Sequence, residues 1–97
     1  MKTIYKYQIE ITDLQTLHLP VDSEILSVKE QDGVLCVWAL HRKQDHSPNG
    51  SVTFRPISIR IVGTGHDIDF TISLHHFNFI ETVMMRNGLV FHVFAND

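Results

Sequence analysis

With 97 residues, 43% of them hydrophobic and 20% charged, the chain has room for one domain (1–97) and is too apolar for intrinsic disorder. Its formal charge of -3, with no basic run beyond His41-Arg42-Lys43, sets it apart from nucleic-acid-binding domains, which carry a basic face. A lone cysteine, Cys36, no apolar run near the roughly 18 residues of a membrane helix, and no signal-peptide core in MKTIYKYQIEITD lead to the expectation of a cytoplasmic protein without membrane contact.

The pattern along the chain is mostly period two, the mark of half-buried strands. In TIYKYQIEI, Tyr5, Tyr7, Ile9 and Ile11 share one face, and Lys6, Gln8 and Glu10 the other. Thr12 and Asp13 offer a turn. TLHLP puts Leu17 and Leu19 on one side, and Pro20 closes that strand or holds it to an edge. EILSVKE and VLCVWAL are divided by Gln31-Asp32-Gly33, a type I′ hairpin signal because Gly33 takes positive φ freely. VLCVWAL is apolar on both faces, Leu35, Val37 and Ala39 against Cys36, Trp38 and Leu40, which predicts a central strand with Cys36 as a small buried hydrophobe.

The polar RKQDHSPNGS predicts an exposed loop. VTFRPISIRIV resumes strand character, with Pro56 requiring a bulge or an edge. Ile68, Phe70, Ile72 and Leu74 alternate and predict another strand, and LHHFNF an irregular connection or a single helical turn. Asn87-Gly88 marks a second type I′ hairpin before LVFHVF. No segment carries a sustained helical stripe. The fold expected is a small all-β antiparallel sandwich, or a partly open barrel, of about seven strands with hairpins at Asp32-Gly33 and Asn87-Gly88. Tyr5, Tyr7, Phe91 and Phe94 suggest that the first and last strands lie side by side.

The run IVGTGHDID holds the main site candidate. It lacks the lysine of a Walker loop and the third glycine of a dinucleotide fingerprint. A Gly-Thr-Gly turn presents backbone N–H groups to an anion, but Asp67 and Asp69 would repel phosphate. A plain turn is therefore the first expectation, with unusual backbone angles at Gly63 and Gly65. A ligand loop of Gly63, Thr64, Gly65, His66 and Asp67 is the second. Seven histidines raise a metal site from among His66, Asp67, Asp69, His75, His76 and His92. There is no HExxH motif and no cysteine pair, adjacent His75 and His76 diverge in a strand, and His92 fits the wet face of its strand, so no metal or cofactor is expected. Ser27, Ser51, Ser58 and Ser73 lack a nucleophile-elbow setting, so no enzyme is expected either. Trp38, Phe54, Phe77 and Phe79 are candidates for an interaction surface, against a default role in the core.

The blocks KTIYKYQIEITDLQTLHLP, ILSVKEQDGVLCVWAL, RIVGTGHDI, FIETV and LVFHVF, in this order over nearly the whole chain, resemble a family of short bacteriophage and prophage proteins carrying only a domain-of-unknown-function label. The departures fall in the loop after Trp38 and in ISLHHFNF. The resemblance implies a phage or prophage origin and expression in a bacterial cytoplasm, and carries no chemistry over. It implies an accessory protein acting by binding, first as a modulator or inhibitor of a host protein such as a defence component, and as a homo-oligomer. The alternatives are a small-ligand sponge for a nucleotide signal, a minor virion component, and a hydrolase using His66 with Asp67 or Asp69.

Overall fold

The strand pattern is realised in a computed structural model that describes residues 2–42, 53–67 and 76–96. Its strands are β1 (Lys2–Ile9), β2 (Leu14–Pro20), β3 (Ser23–Gln31), β4 (Val34–Arg42), β5 (Phe54–Gly63), β6 (Asn78–Met84) and β7 (Val90–Ala95). They build two antiparallel sheets, sheet 1 in the order β1-β4-β3 and sheet 2 in the order β2-β5-β7-β6. Among the described residues no backbone ladder joins the sheets, so the domain is a small β-sandwich and not a closed barrel. The strand expected over 68–74 and most of the polar loop after Arg42 lie outside the described residues.

Alternation builds the core. Register sets Ile9 beside Leu35 and Val28 beside Val37, so Leu35, Val37 and Ala39 of β4 point inward together. Leu19, Ile57, Ile59, Ile61, Val93 and Ala95 meet them from sheet 2 in one buried cluster. β5 supplies its isoleucines at alternate positions, where branched side chains pack well on a pleated surface. β4 is central, as its two-sided apolar pattern predicts. On its outer face Cys36 is buried, while Trp38 and Leu40 are half-buried.

Proline and glycine mark the boundaries. Among the described residues Pro20 closes edge strand β2, and Pro56 lies where β5 pairs with β2 alone, because pairing with β7 starts at Ile59. Asp32 and Gly33 both have positive φ, 53° and 83°, the type I′ geometry. The second hairpin differs from expectation. Gly88 has a φ of 92°, but Asn87 is not left-handed. Gly88 N–H donates to Met85 O (2.9 Å), and Met85 N–H donates to Leu89 O (2.8 Å). This is a three-residue loop, Arg86-Asn87-Gly88, with glycine in its left-handed position.

The first and last strands are also not neighbours. β1 belongs to sheet 1 and β7 to sheet 2. Tyr5 and Tyr7 instead pack against His41 of β4, with ring centroids 4.7 and 5.7 Å away, and the Tyr7 hydroxyl lies 2.8 Å from His41 Nε2. Burial pushes the His41 pKa down and the Tyr7 pKa up.

One margin of the sandwich is stitched by carboxylates. Glu81 of β6 accepts the Val28 N–H of edge strand β3 (3.2 Å) and pairs with Lys29. Glu30 of β3 accepts the Arg86 N–H (2.9 Å). These contacts occupy polar groups along β3 that would otherwise form an open edge.

Candidate functional site

The two glycines after β5 have different duties. His66 N–H donates to Gly63 O (3.1 Å), closing a four-residue turn with Gly65 third at a φ of 86°. Glycine suits that position because a side chain there costs roughly 1–2 kcal/mol. Gly63, contrary to expectation, has no left-handed angle. It permits close approach instead, since a Cβ there would lie 3.2 Å from Nδ1 of the His66 ring. Thr64 N–H donates to Val90 O (3.3 Å), tying the turn to the start of β7.

The outer face of sheet 2 supplies the other wall. Register places His92 between Val62 of β5 and Thr82 of β6, and Phe94 between Arg60 and Phe79. His92 Nε2 lies 2.8 Å from Thr64 Oγ1, and Nδ1 lies 2.9 Å from Thr82 Oγ1. Each hydroxyl can donate or accept, so either imidazole tautomer is satisfied and the ring is fixed. Phe79 and Phe94 meet edge to face with centroids 5.7 Å apart. A bulge between Phe79 and Glu81 makes this possible. It sets Phe79 opposite outward Phe94 and Glu81 opposite inward Val93, although the two residues are an even step apart.

Together these elements enclose an open hollow of about 270 Å³. Its walls are Gly63, Thr64, Gly65 and His66 from the turn, and Val62, Phe79, His92 and Phe94 from the strands. Of the five ligand-loop residues expected from sequence, four line it. Asp67 is exposed and does not.

The expected interaction residues do not form one patch. Phe79 is on the wall, and Phe54 is exposed on the same outer face near the far end of β5. Phe77 is half-buried just before β6, and Trp38 lies on the outer face of sheet 1. The sequence offers His92 only as a metal-ligand candidate and Phe94 only as a strand-packing aromatic, not as walls of this hollow. Alternation in LVFHVF puts them on one face, but only the β5–β7 pairing sets them beside the turn. Among the described residues no three His, Cys, Asp or Glu side chains converge as a metal set would. Asp69, His75, Ser51 and Ser73 lie outside the described residues, and Ser27 and Ser58 sit on β3 and β5, away from the hollow walls.

Two stacked antiparallel sheets with an aromatic, imidazole-bearing hollow on one outer face define a small all-β sandwich domain. The chain belongs to the family described as a domain of unknown function, DUF7352, which matches residues 1–97. No curated protein and no solved structure matches it.

Proposed function

We propose that the chain is a small phage- or prophage-encoded accessory protein that acts in a bacterial cytoplasm by binding, and that the hollow beside the Gly63–His66 turn is its recognition site. The observation that carries this reading is the convergence of four turn residues with Phe79, His92 and Phe94 on one concave surface. Binding sites are concave, mainly apolar, and carry a few placed polar groups. The hollow has that make-up, with two phenyl rings and a doubly held imidazole. At about 270 Å³ and open to solvent, it suits one compact ring-bearing group. Such a site modulates the host by withholding a small molecule from it.

A second reading, inhibition of a host protein, draws on a different observation. Among the described residues β1 and β2 are edge strands, and β1 exposes Ile4 and Tyr5, at 56% and 53%. Edges of this kind accept a further strand from a partner or from a second copy of the chain, so a homo-oligomer belongs to this proposal as well.

Native mass spectrometry of the protein recovered gently from bacterial cells separates the two. The ligand reading expects a retained small mass that disappears in both His66→Ala and Phe79→Ala. A clean apo species, with a host protein co-purifying equally with wild type and both variants, removes the hollow as the site.

A further inference from the structure

Resting on the reading of the hollow as a binding site, we propose that its ligand is a mononucleotide, with its base on the Phe79–Phe94 pair and its phosphate on Arg60. The charge of this face points to that class. The chain is net negative, with 11 acidic residues against 8 basic ones. Yet the outward positions of sheet 2 carry no carboxylate among the described residues, and Asp67 of the turn is exposed and off the walls of the hollow. Around the hollow these positions include Val62 on β5, His92 and Phe94 on β7, and Phe79 and Thr82 on β6, with Arg60 beside Phe94. The β6 bulge is what turns Glu81 inward, toward β3 and away from this face.

Among the described residues Arg60 is the one lysine or arginine at these outward positions. It stands directly across the β5–β7 ladder from Phe94, which lines the hollow. Side chains so placed have Cβ atoms about 5 Å apart, well within the reach of a guanidinium. Its Nε is buried and has no hydrogen-bond partner. A buried donor left without an acceptor is costly, which favours turning the side chain outward, where a phosphate oxygen is the acceptor that a guanidinium fits best. The ring half of the ligand follows from the aromatic wall, since bases stack on phenyl faces with little regard to sequence. A polymer is disfavoured, because tracking a nucleic-acid backbone needs a groove of several cations and this face offers one guanidinium among the described residues.

The test is an NMR titration of the ¹⁵N-labelled full chain with AMP, GMP, CMP and UMP, each beside its nucleoside, and with inorganic phosphate and oligo(dT). At least one mononucleotide is expected to shift the amides of Thr64, Gly65, His92 and Phe94 and to bind about tenfold tighter than its nucleoside. Arg60→Gln is expected to erase that difference while leaving the rest of the spectrum unchanged, and Phe79→Ala to weaken nucleotide and nucleoside alike by about tenfold. Equal binding of nucleotide and nucleoside, phosphate binding as well as the nucleotide, an unaffected Arg60→Gln, or oligo(dT) binding far tighter than any monomer each overturns the proposal. If no nucleotide binds but a mass retained from cells is lost in Phe79→Ala, the hollow remains the site and only this inference falls. Shifts confined to sheet 1 defeat both.

Discussion

Replacing Ile57 with alanine is expected to lower the unfolding free energy by about 2–5 kcal/mol. Ile57 is 0% exposed and sits on β5, between β2 and the inward face of sheet 1. The change removes buried methyl and methylene groups and leaves a cavity that strands fixed by ladders on both sheets can close only in part. Domains of this size are stable by only about 5–15 kcal/mol, so the loss is a large share of the total. Met84→Ala is the control. Met84 is 76% exposed on the outer face of β6, and its truncation is expected to change stability by less than about 0.5 kcal/mol. Urea denaturation of both variants measures the contrast. Equal midpoints for the two would contradict the placement of the core.

Glu81→Ala is expected to cost about 1–3 kcal/mol, chiefly through Val28 and not through Lys29. The Lys29 side chain is 59% exposed, and an ion pair to so wet a partner contributes little. The Val28 N–H is half-sheltered on an edge strand and loses its acceptor outright. Glu81→Gln keeps an acceptor for that N–H, so it is expected to lose less than half as much. The pH dependence has a definite sign. The Lys29 hydrogen bond, helped by the Val28 N–H and opposed by burial, holds the Glu81 pKa below its ordinary value of 4.5. A carboxylate with a depressed folded pKa contributes stability above the unfolded value and loses it as pH falls through the folded one. The advantage of wild type over Glu81→Gln is therefore expected to be full near neutrality and to shrink below about pH 4.5, as chemical denaturation across that range would show. A constant difference down to pH 2 would mean that the carboxylate is not held in this way.

What was legible from sequence was local. The two-faced VLCVWAL marked the central strand, Asp32-Gly33 marked its turn type, and Pro20 and Pro56 marked positions that, among the described residues, have a neighbour on one side only. The Asn87-Gly88 dipeptide marked a hairpin but not its loop, because the same glycine serves a two-residue turn or the last position of a three-residue one. Which form occurs depends on where the Met85–Leu89 pair closes the ladder. The placement of β1 and β7 in different sheets was hidden for a related reason. Aromatic content says that a strand packs, not against which neighbour.

The site shows the same division. GTGH announced a turn with a possible ligand role, and the structure brings four of its expected residues to one hollow. Asp67 fell outside, and His92 and Phe94 entered through long-range pairing that alternation alone does not specify. FIETV reads as Phe79, Glu81 and Val83 on a common face. The bulge near Ile80 breaks that alternation, sending Phe79 outward to the hollow and Glu81 inward to β3. Nothing in the local sequence announces it, and it decides both the aromatic wall and the absence of carboxylates on the strands around it.

The most direct test of the hollow as recognition site is site-specific photo-crosslinking in bacterial cells, with p-benzoylphenylalanine placed at position 79 in one preparation and at position 4 in another. Position 79 lines the hollow, and position 4 is exposed on the β1 edge of the other sheet. A defined adduct mass on irradiation from position 79, absent from position 4 and abolished by a second change, His66→Ala, is the result expected. An adduct from position 4 with none from position 79 would contradict it and move recognition to the open edge of sheet 1.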